Sequence, residues 1–234
     1  MRLRAKTLAV LGTALAAWTA LAVAVSSGIL MRRFRALEED RVVRNVQRAE
    51  DALAASVDEL DRTCKDWGSW NETYEFVESG DASFLEENVN DQAFLRLGLD
   101  FMAFIHRSGK LVALRSYDRS KRAFTDPSPS LADLFAPADP ALIVERDDGG
   151  RKGILLLPDG PCLIASRPLL KGDASGPLRG TLVMGRRLGE EEIRRLQAIT
   201  HLELSVGPSS GYPSGAAYER TREVRDSDRP VRIA

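Results

Sequence analysis

From Thr7 to Met31 the chain reads TLAVLGTALAAWTALAVAVSSGILM, 25 residues without one ionisable side chain. As a helix this run would extend roughly 37 Å at about 1.5 Å per residue, enough to cross a hydrocarbon core of about 30 Å with some tilt. Arg2, Arg4 and Lys6 precede it and favour a cytoplasmic amino terminus over residues 1–6. Arg32, Arg33 and Arg35 follow it and weaken that bias. A cleaved signal peptide is the competing reading, because Ala22-Val23-Ala24 offers a cleavage site. The apolar run continues past that site, which favours an uncleaved transmembrane helix over 7–31. On either reading the bulk of the chain leaves the cytoplasm.

Beyond the run a helical period persists. Phe34, Leu37, Val42, Val46, Ala49, Leu53, Val57, Leu60, Cys64 and Trp67 recur mainly at three- and four-residue steps, and no Gly or Pro interrupts residues 29–67. The spacing predicts a stalk helix over 32–67. From Val46 to Trp67 its stripe resembles a heptad seam. Two uses stay open: pairing with a second copy in a homodimer, or packing against the domain that follows.

After Gly68 the pattern changes. FLEENVNDQAFLRLG (84–98) reads as one further helical segment, and 101–106 and 111–117 read as strands around a short turn whose Gly109 suits a positive φ. Residues 118–140 form a loop with a small helix, LADLF. Strands at 154–157, 163–167 and 181–184 follow, then a helix, EEEIRRLQAI, whose acidic first turn suits the helix dipole. LELSV (202–206) is expected as a closing strand. Sequential hairpins imply antiparallel pairing, since parallel neighbours need long crossovers. The expected class is α+β: a PAS-like, five-stranded antiparallel sheet backed by the stalk helix.

One stretch is unusual. Residues 66–77, DWGSWNETYEFV, hold two of the three tryptophans of an otherwise aromatic-poor chain, interleaved with Asp66, Asn71, Glu72 and Glu75. The order Asp66-Trp67-Gly68-Ser69-Trp70-Asn71-Glu72-Thr73-Tyr74-Glu75-Phe76, then Phe84-Leu85-Glu86-Glu87-Asn88, Gly109-Lys110-Leu111-Val112 and Gly180-Thr181-Leu182-Val183-Met184-Gly185-Arg186, resembles CHASE-type sensor domains of the fourth type. The resemblance covers about residues 40–206. It departs at Asn71, where the family more often carries Asp. An Asn there would weaken a contact to a cationic ligand group but would serve equally as an acceptor for backbone. The resemblance implies an extracytoplasmic ligand sensor, generally tethered to a cytoplasmic histidine kinase or cyclic-di-GMP enzyme through a second membrane helix. Residues 207–234 contain no second long apolar run, so either this segment stops short of that helix or the chain is a single-pass sensor that works through a partner; both stay open.

The candidate ligand-binding residues are Asp66, Trp67, Trp70, Asn71, Tyr74 and Arg186. If 66–76 stays helical, Trp67, Trp70 and Tyr74 share a face, where rings can line a pocket and attract a cationic group. The alternative is that the tryptophans cap the core while Asp66 fixes a turn. Arg186 could hold an anion bidentately or pair with Asp66 or a helix carboxylate. Arg167 has the same ambiguity with a stronger lean to solvent. His106 and His201 are expected as satisfied surface or edge residues. Cys64 and Cys162 could pair in an oxidising compartment, although Cys64 also fits the apolar stripe.

No nucleophile–base pair is suggested, so an exported hydrolase built on Asp66 and Arg186 ranks below a sensor and below a membrane-tethered scaffold. No Cys/His spacing suits zinc, and no cofactor is expected. A formal charge of −1 offers no reason to expect a nucleic-acid partner. The expected partners are an unidentified small molecule, a bacterial inner membrane and a second copy of the chain.

Overall fold

The computed structural model describes residues 2–144, 149–173, 176–206, 222–224 and 231–233; many side chains before residue 43 lie outside the described set. The chain divides into two compact units, Met1–Arg48 and Ala49–Ala234. Helix α1 is continuous over Arg2–Gly68. In the first unit Leu11, Leu15, Trp18, Leu21 and Val23 are exposed. Among the described residues no helix is long and apolar enough to cross a membrane. The span expected at 7–31 falls partly on side chains outside that set, and it stands as a proposal.

The second unit is built from short helices with legible stops. Helix α2 (Asn71–Ser79) ends at left-handed Gly80, and α3 (Ala82–Asn88) starts where the Asp81 side chain accepts from the Ser83 N–H. Helix α4 (Asp91–Leu97) is capped by Asn90, whose Oδ1 accepts from the Ala93 N–H. The single helix expected over 84–98 is therefore two, because an Asn side chain satisfies the start of a new helix better than it continues an old one.

Strands β1 (Phe101–His106) and β2 (Leu111–Asp118) form the expected hairpin, with Gly109 at φ 82°. Strand β3 (Ala123–Thr125) pairs with β2. Helix α5 (Pro129–Phe135) is capped by Ser128, and β4 (Arg151–Leu157), β5 (Gly160–Leu169) and β6 (Gly180–Arg187) make the meander. Helix α6 (Glu190–Thr200) follows, with Glu190, Glu191 and Glu192 in its first turn.

The sheet has six strands in the order β3-β2-β1-β6-β5-β4, all antiparallel, rather than five. The added strand is β3, which the sequence pattern placed in a loop. LELSV forms no strand: Leu204 O accepts from Gln197 Nε2, so the segment folds back on α6. In the 207–234 segment, β7 (Arg222–Val224) and β8 (Val231–Ile233) pair with each other, and the rest lies outside the described residues.

Alternation along β1 divides the core. Met102 and Phe104 face the side covered by Leu53, Val57, Leu60, Cys64 and Trp67 of α1, together with Phe76, Phe84 and Phe94. Phe101, Ala103 and Ile105 face α5 through Leu131 and Phe135. The stalk seam is thus covered by its own sheet from Leu53 to Trp67, while Val43 and Val46 remain exposed. Gly185 is required at the centre: a Cβ there would lie 2.0 Å from the Phe101 ring.

Candidate functional site

The aromatic stretch sits where α1 ends. Gly68 approaches β5 so closely that a Cβ would lie 2.8 Å from Pro168 O, and its own carbonyl accepts from Leu170 N–H at 3.0 Å. This contact breaks the helix, so residues 66–76 are not one helical face. Trp70 adopts an extended backbone (φ −79°, ψ 137°) and α2 restarts behind it. Stacking nevertheless keeps the tryptophans together, with centroids 4.7 Å apart at 19°. Trp67 is buried and Trp70 is 40% exposed.

The polar members of the stretch hold the loop between β5 and β6. Tyr74 is buried, and its hydroxyl donates to Pro177 O at 2.9 Å. The Arg179 guanidinium lies 4.0 Å from the Tyr74 ring centroid, and its Nη1 donates to Tyr74 O. Gly172 N–H donates to Asn71 Oδ1 at 3.2 Å, an acceptor role that an amide fills as well as a carboxylate. Gly176 (φ +88°) passes so near that a Cβ would sit 2.9 Å from Tyr74 Oη. Asp66 is exposed and makes no ion pair among the described residues.

Arg186 is not part of this group. It is 3% exposed; its Nε donates to Gly98 O at 2.9 Å and its Nη2 to Leu97 O at 3.0 Å, closing the C-terminus of α4. Its carboxylate partners are Glu192 of α6 at 3.5 Å and Glu59 of α1 at 3.6 Å. Glu59 also pairs with Arg195. Partial burial would raise the Glu59 pKa, yet Arg195 and Arg186 hold it below the usual carboxylate value.

Two residues further along α1 lies a second clamp. Buried Asp61 takes both nitrogens of the Arg167 fork, with Nε–Oδ1 at 2.7 Å, and lies 3.5 Å from Lys152 Nζ. Lys152 also bonds Asp58 at 2.8 Å, and that bond and its charge depress the Asp58 pKa. Arg167 is therefore paired, not turned to solvent. The helix acids Asp58, Glu59 and Asp61 were absent from the sequence-derived list. Their signal was a cluster of acids beside the apolar stripe, facing strands that carry Lys152, Arg167 and Arg186.

At the sheet's far end, the carboxylate of Asp100 receives Arg119 at 3.1 and 3.2 Å and the Arg187 N–H at 2.7 Å. Burial still leaves its pKa raised. Cys64 and Cys162 are both free and buried, one in each core layer, so they do not pair. His106 contacts Ser108 and Glu78, and His201 caps α6 in a left-handed conformation.

The second unit is thus an α+β domain, a six-stranded antiparallel sheet with a helix ion-paired across one face and a motif clasping a strand loop. The chain belongs to the CHASE4 domain family, whose model matches residues 52–206. It is similar to the methanogenesis regulatory histidine kinase FilI of Methanothrix harundinacea (strain 6Ac), at 28% identity over 205 residues. That match covers 85% of this chain but 23% of the kinase, so the chain spans under a quarter of its relative's length. Among solved structures it is similar to the periplasmic domain of Vibrio cholerae LuxQ (15% identity, TM-score 0.47, 69% of this chain and 71% of that one). It is also similar to the E. coli DcuS sensor domain (13% identity, TM-score 0.38, 66% and 98%).

Proposed function

We propose that the chain is the ligand-sensing part of a membrane-anchored signalling receptor. The 7–31 run serves as a single-pass anchor in a bacterial inner membrane, and the sensor domain lies on the outer side. Output comes from a cytoplasmic kinase or a cyclic-di-GMP enzyme. The observation that carries this reading is the double clamp of α1 onto the sheet, Asp61 to Arg167 and Glu59 to Arg186. A ligand with unequal affinity for two arrangements of these pairs shifts the helix that leads to the membrane. Exposed Leu11, Leu15, Trp18, Leu21 and Val23 support the anchor. Exposed Val43 and Val46 support pairing of two stalks.

The test is thermal unfolding of the detergent-solubilised chain against a metabolite panel. The expected result is a ligand whose stabilisation grows with its concentration. That ligand should also change the distance between spin labels placed on α1 and on β5. Silence across a broad panel from a well-folded dimer would favour the scaffold reading. That alternative draws on the Tyr74 hydroxyl, which is already occupied by Pro177 O, and on the exposed Val43 and Val46.

A further inference from the structure

Arg115 stands apart from the other arginines of the sheet. Arg167, Arg186 and Arg187, with Arg119 just past the end of β2, each close on a carboxylate, and Arg151 of β4 donates to Ala141 O. Arg115 is half-buried on β2 and has no hydrogen bond or ion pair among the described residues. Its guanidinium instead lies 5.4 Å from the centroid of Phe124 on β3. Tyr117, two residues along on the same face, is the cross-strand partner of Phe124, with ring centroids 5.1 Å apart. Its buried hydroxyl has no hydrogen-bond partner either. The buried Tyr117 hydroxyl is costly to leave unpaired, and the Arg115 guanidinium, at the open side of the same face, is a cation with no carboxylate partner among the described residues.

The space beside Arg115 and Phe124 is open. A groove of about 540 Å³ runs between the α3–α4 junction and the strands, with Leu85, Val89, Asn90, Gln92, Arg115 and Phe124 in its walls. A second, of about 610 Å³, shares Arg115 and Phe124 and includes Thr125 and Asp126.

We infer that this groove at the β2–β3 edge is a binding site for a small organic monocarboxylate with a flat apolar body. The Arg115 fork matches a carboxylate by two parallel hydrogen bonds, and Leu85 and Val89 receive the apolar part. Glu86 and Asp91 also line the groove, and their charge disfavours a second negative group on the ligand. The site deepens the sensor reading and rests on it for its consequence. Helix α4, whose first residues border the groove, ends with Leu97 O and Gly98 O on Arg186, which reaches Glu59 of α1. An occupant that moves α4 therefore acts on one of the two clamps that hold α1.

The test uses the full chain in detergent and saturation-transfer NMR with benzoate and phenylacetate as probes. Phenylacetamide, phenylethylamine and succinate serve as neutral, cationic and dianionic counterparts. Saturable binding of the two carboxylates alone is expected. Arg115→Gln should weaken it at least about tenfold, the loss of a charge-assisted hydrogen-bond pair. Arg107→Gln, on an exposed turn, should leave it unchanged. Because Arg115 makes no ion pair among the described residues and loses only its contact with the Phe124 ring, Arg115→Gln should unfold within a few degrees of the wild-type midpoint, so lost binding is not lost folding.

Equal carboxylate affinity in Arg115→Gln, equal binding of the amide or amine, or no carboxylate binding at millimolar concentration would each overturn the inference. If the carboxylates fail while another metabolite stabilises the chain and moves α1, the sensor reading survives and this site does not. If they bind through Arg115 but leave α1 in place, the site survives and the signalling reading does not.

Discussion

Asp61 and Arg167 meet across the interface between α1 and β5: the Arg167 fork takes both carboxylate oxygens, with Nε–Oδ1 at 2.7 Å and Asp61 buried. The two residues are 106 positions apart in the chain. Removing one partner leaves the other desolvated and only partly compensated by Lys152, which lies 3.5 Å from Asp61. Arg167→Met is expected to destabilise the domain by about 2–3 kcal/mol, read as a lowered midpoint in urea. The double variant Arg167→Met with Asp61→Leu should recover part of that loss. An additive double variant would show that the pair is not coupled.

At the end of α1 the expected effect is steric. Gly68→Ala places a Cβ 2.8 Å from Pro168 O, a backbone atom that cannot swing away. Overpacking of this kind costs about 1–3 kcal/mol. Gly12→Ala, where a Cβ meets nothing within 4 Å, provides the control. Thermal unfolding of the two variants should differ by several degrees; equal midpoints would mean that β5 can move aside.

Tyr74→Phe deletes only the hydroxyl that donates to Pro177 O. Stability should fall by about 1 kcal/mol. The larger effect should be local: limited proteolysis should cut between residues 170 and 179 faster than in the wild type, with the rest of the pattern preserved. An unchanged cleavage rate would indicate that Arg179 and Asn71 hold the loop without Tyr74.

Acid should loosen the sheet edge near α5. Partial burial of Asp159 opposes its ionisation, yet Ser130 and Arg187 lower its pKa to about 2, below the usual carboxylate range. A carboxylate depressed in the folded state contributes stability that is complete above its unfolded pKa and is lost as pH falls through the folded one. Asp159→Asn should therefore flatten the loss of stability between about pH 4 and pH 2. Asp100, raised by burial, acts in the opposite sense: its penalty is relieved on acidification. Unfolding midpoints measured at several pH values check both signs.

The thiols give a chemical readout of the fold. Burial raises the pKa of both Cys64 and Cys162, which also donate to main-chain carbonyls. Neither should react with a thiol reagent in the native chain, and both should react in denaturant. Native reactivity at Cys64 would mean that α1 lifts from the sheet.

Much of this protein was legible locally. The stripe that includes Leu53 to Trp67 marked the apolar face of α1, whose two possible uses the structure resolves toward its own sheet from Leu53 on, and the apolar run at 101–106 marked a strand. The turn residue Gly109 and the acidic start of α6 lay where the structure uses them. These signals depend on neighbours within a few residues, which is why spacing carries them. The order of the aromatic stretch and the Gly180–Arg186 segment also carried the family.

Tertiary structure decided the rest. The break at Gly68 comes from the Pro168 carbonyl, a hundred residues away, so a helical reading of 66–76 could not see it. Whether Arg167 and Arg186 faced solvent, a ligand or a carboxylate depended on which strands lie beneath α1. That is settled only when β1 pairs with β6 and places β5 and β6 beneath the helix acids. Strand β3 has three residues and little apolar pattern of its own; it exists because Phe124 finds Tyr117 across the ladder. Short-range preference marks where elements begin and end, but charge pairing and edge strands follow from long-range closure, whose partners no local window contains.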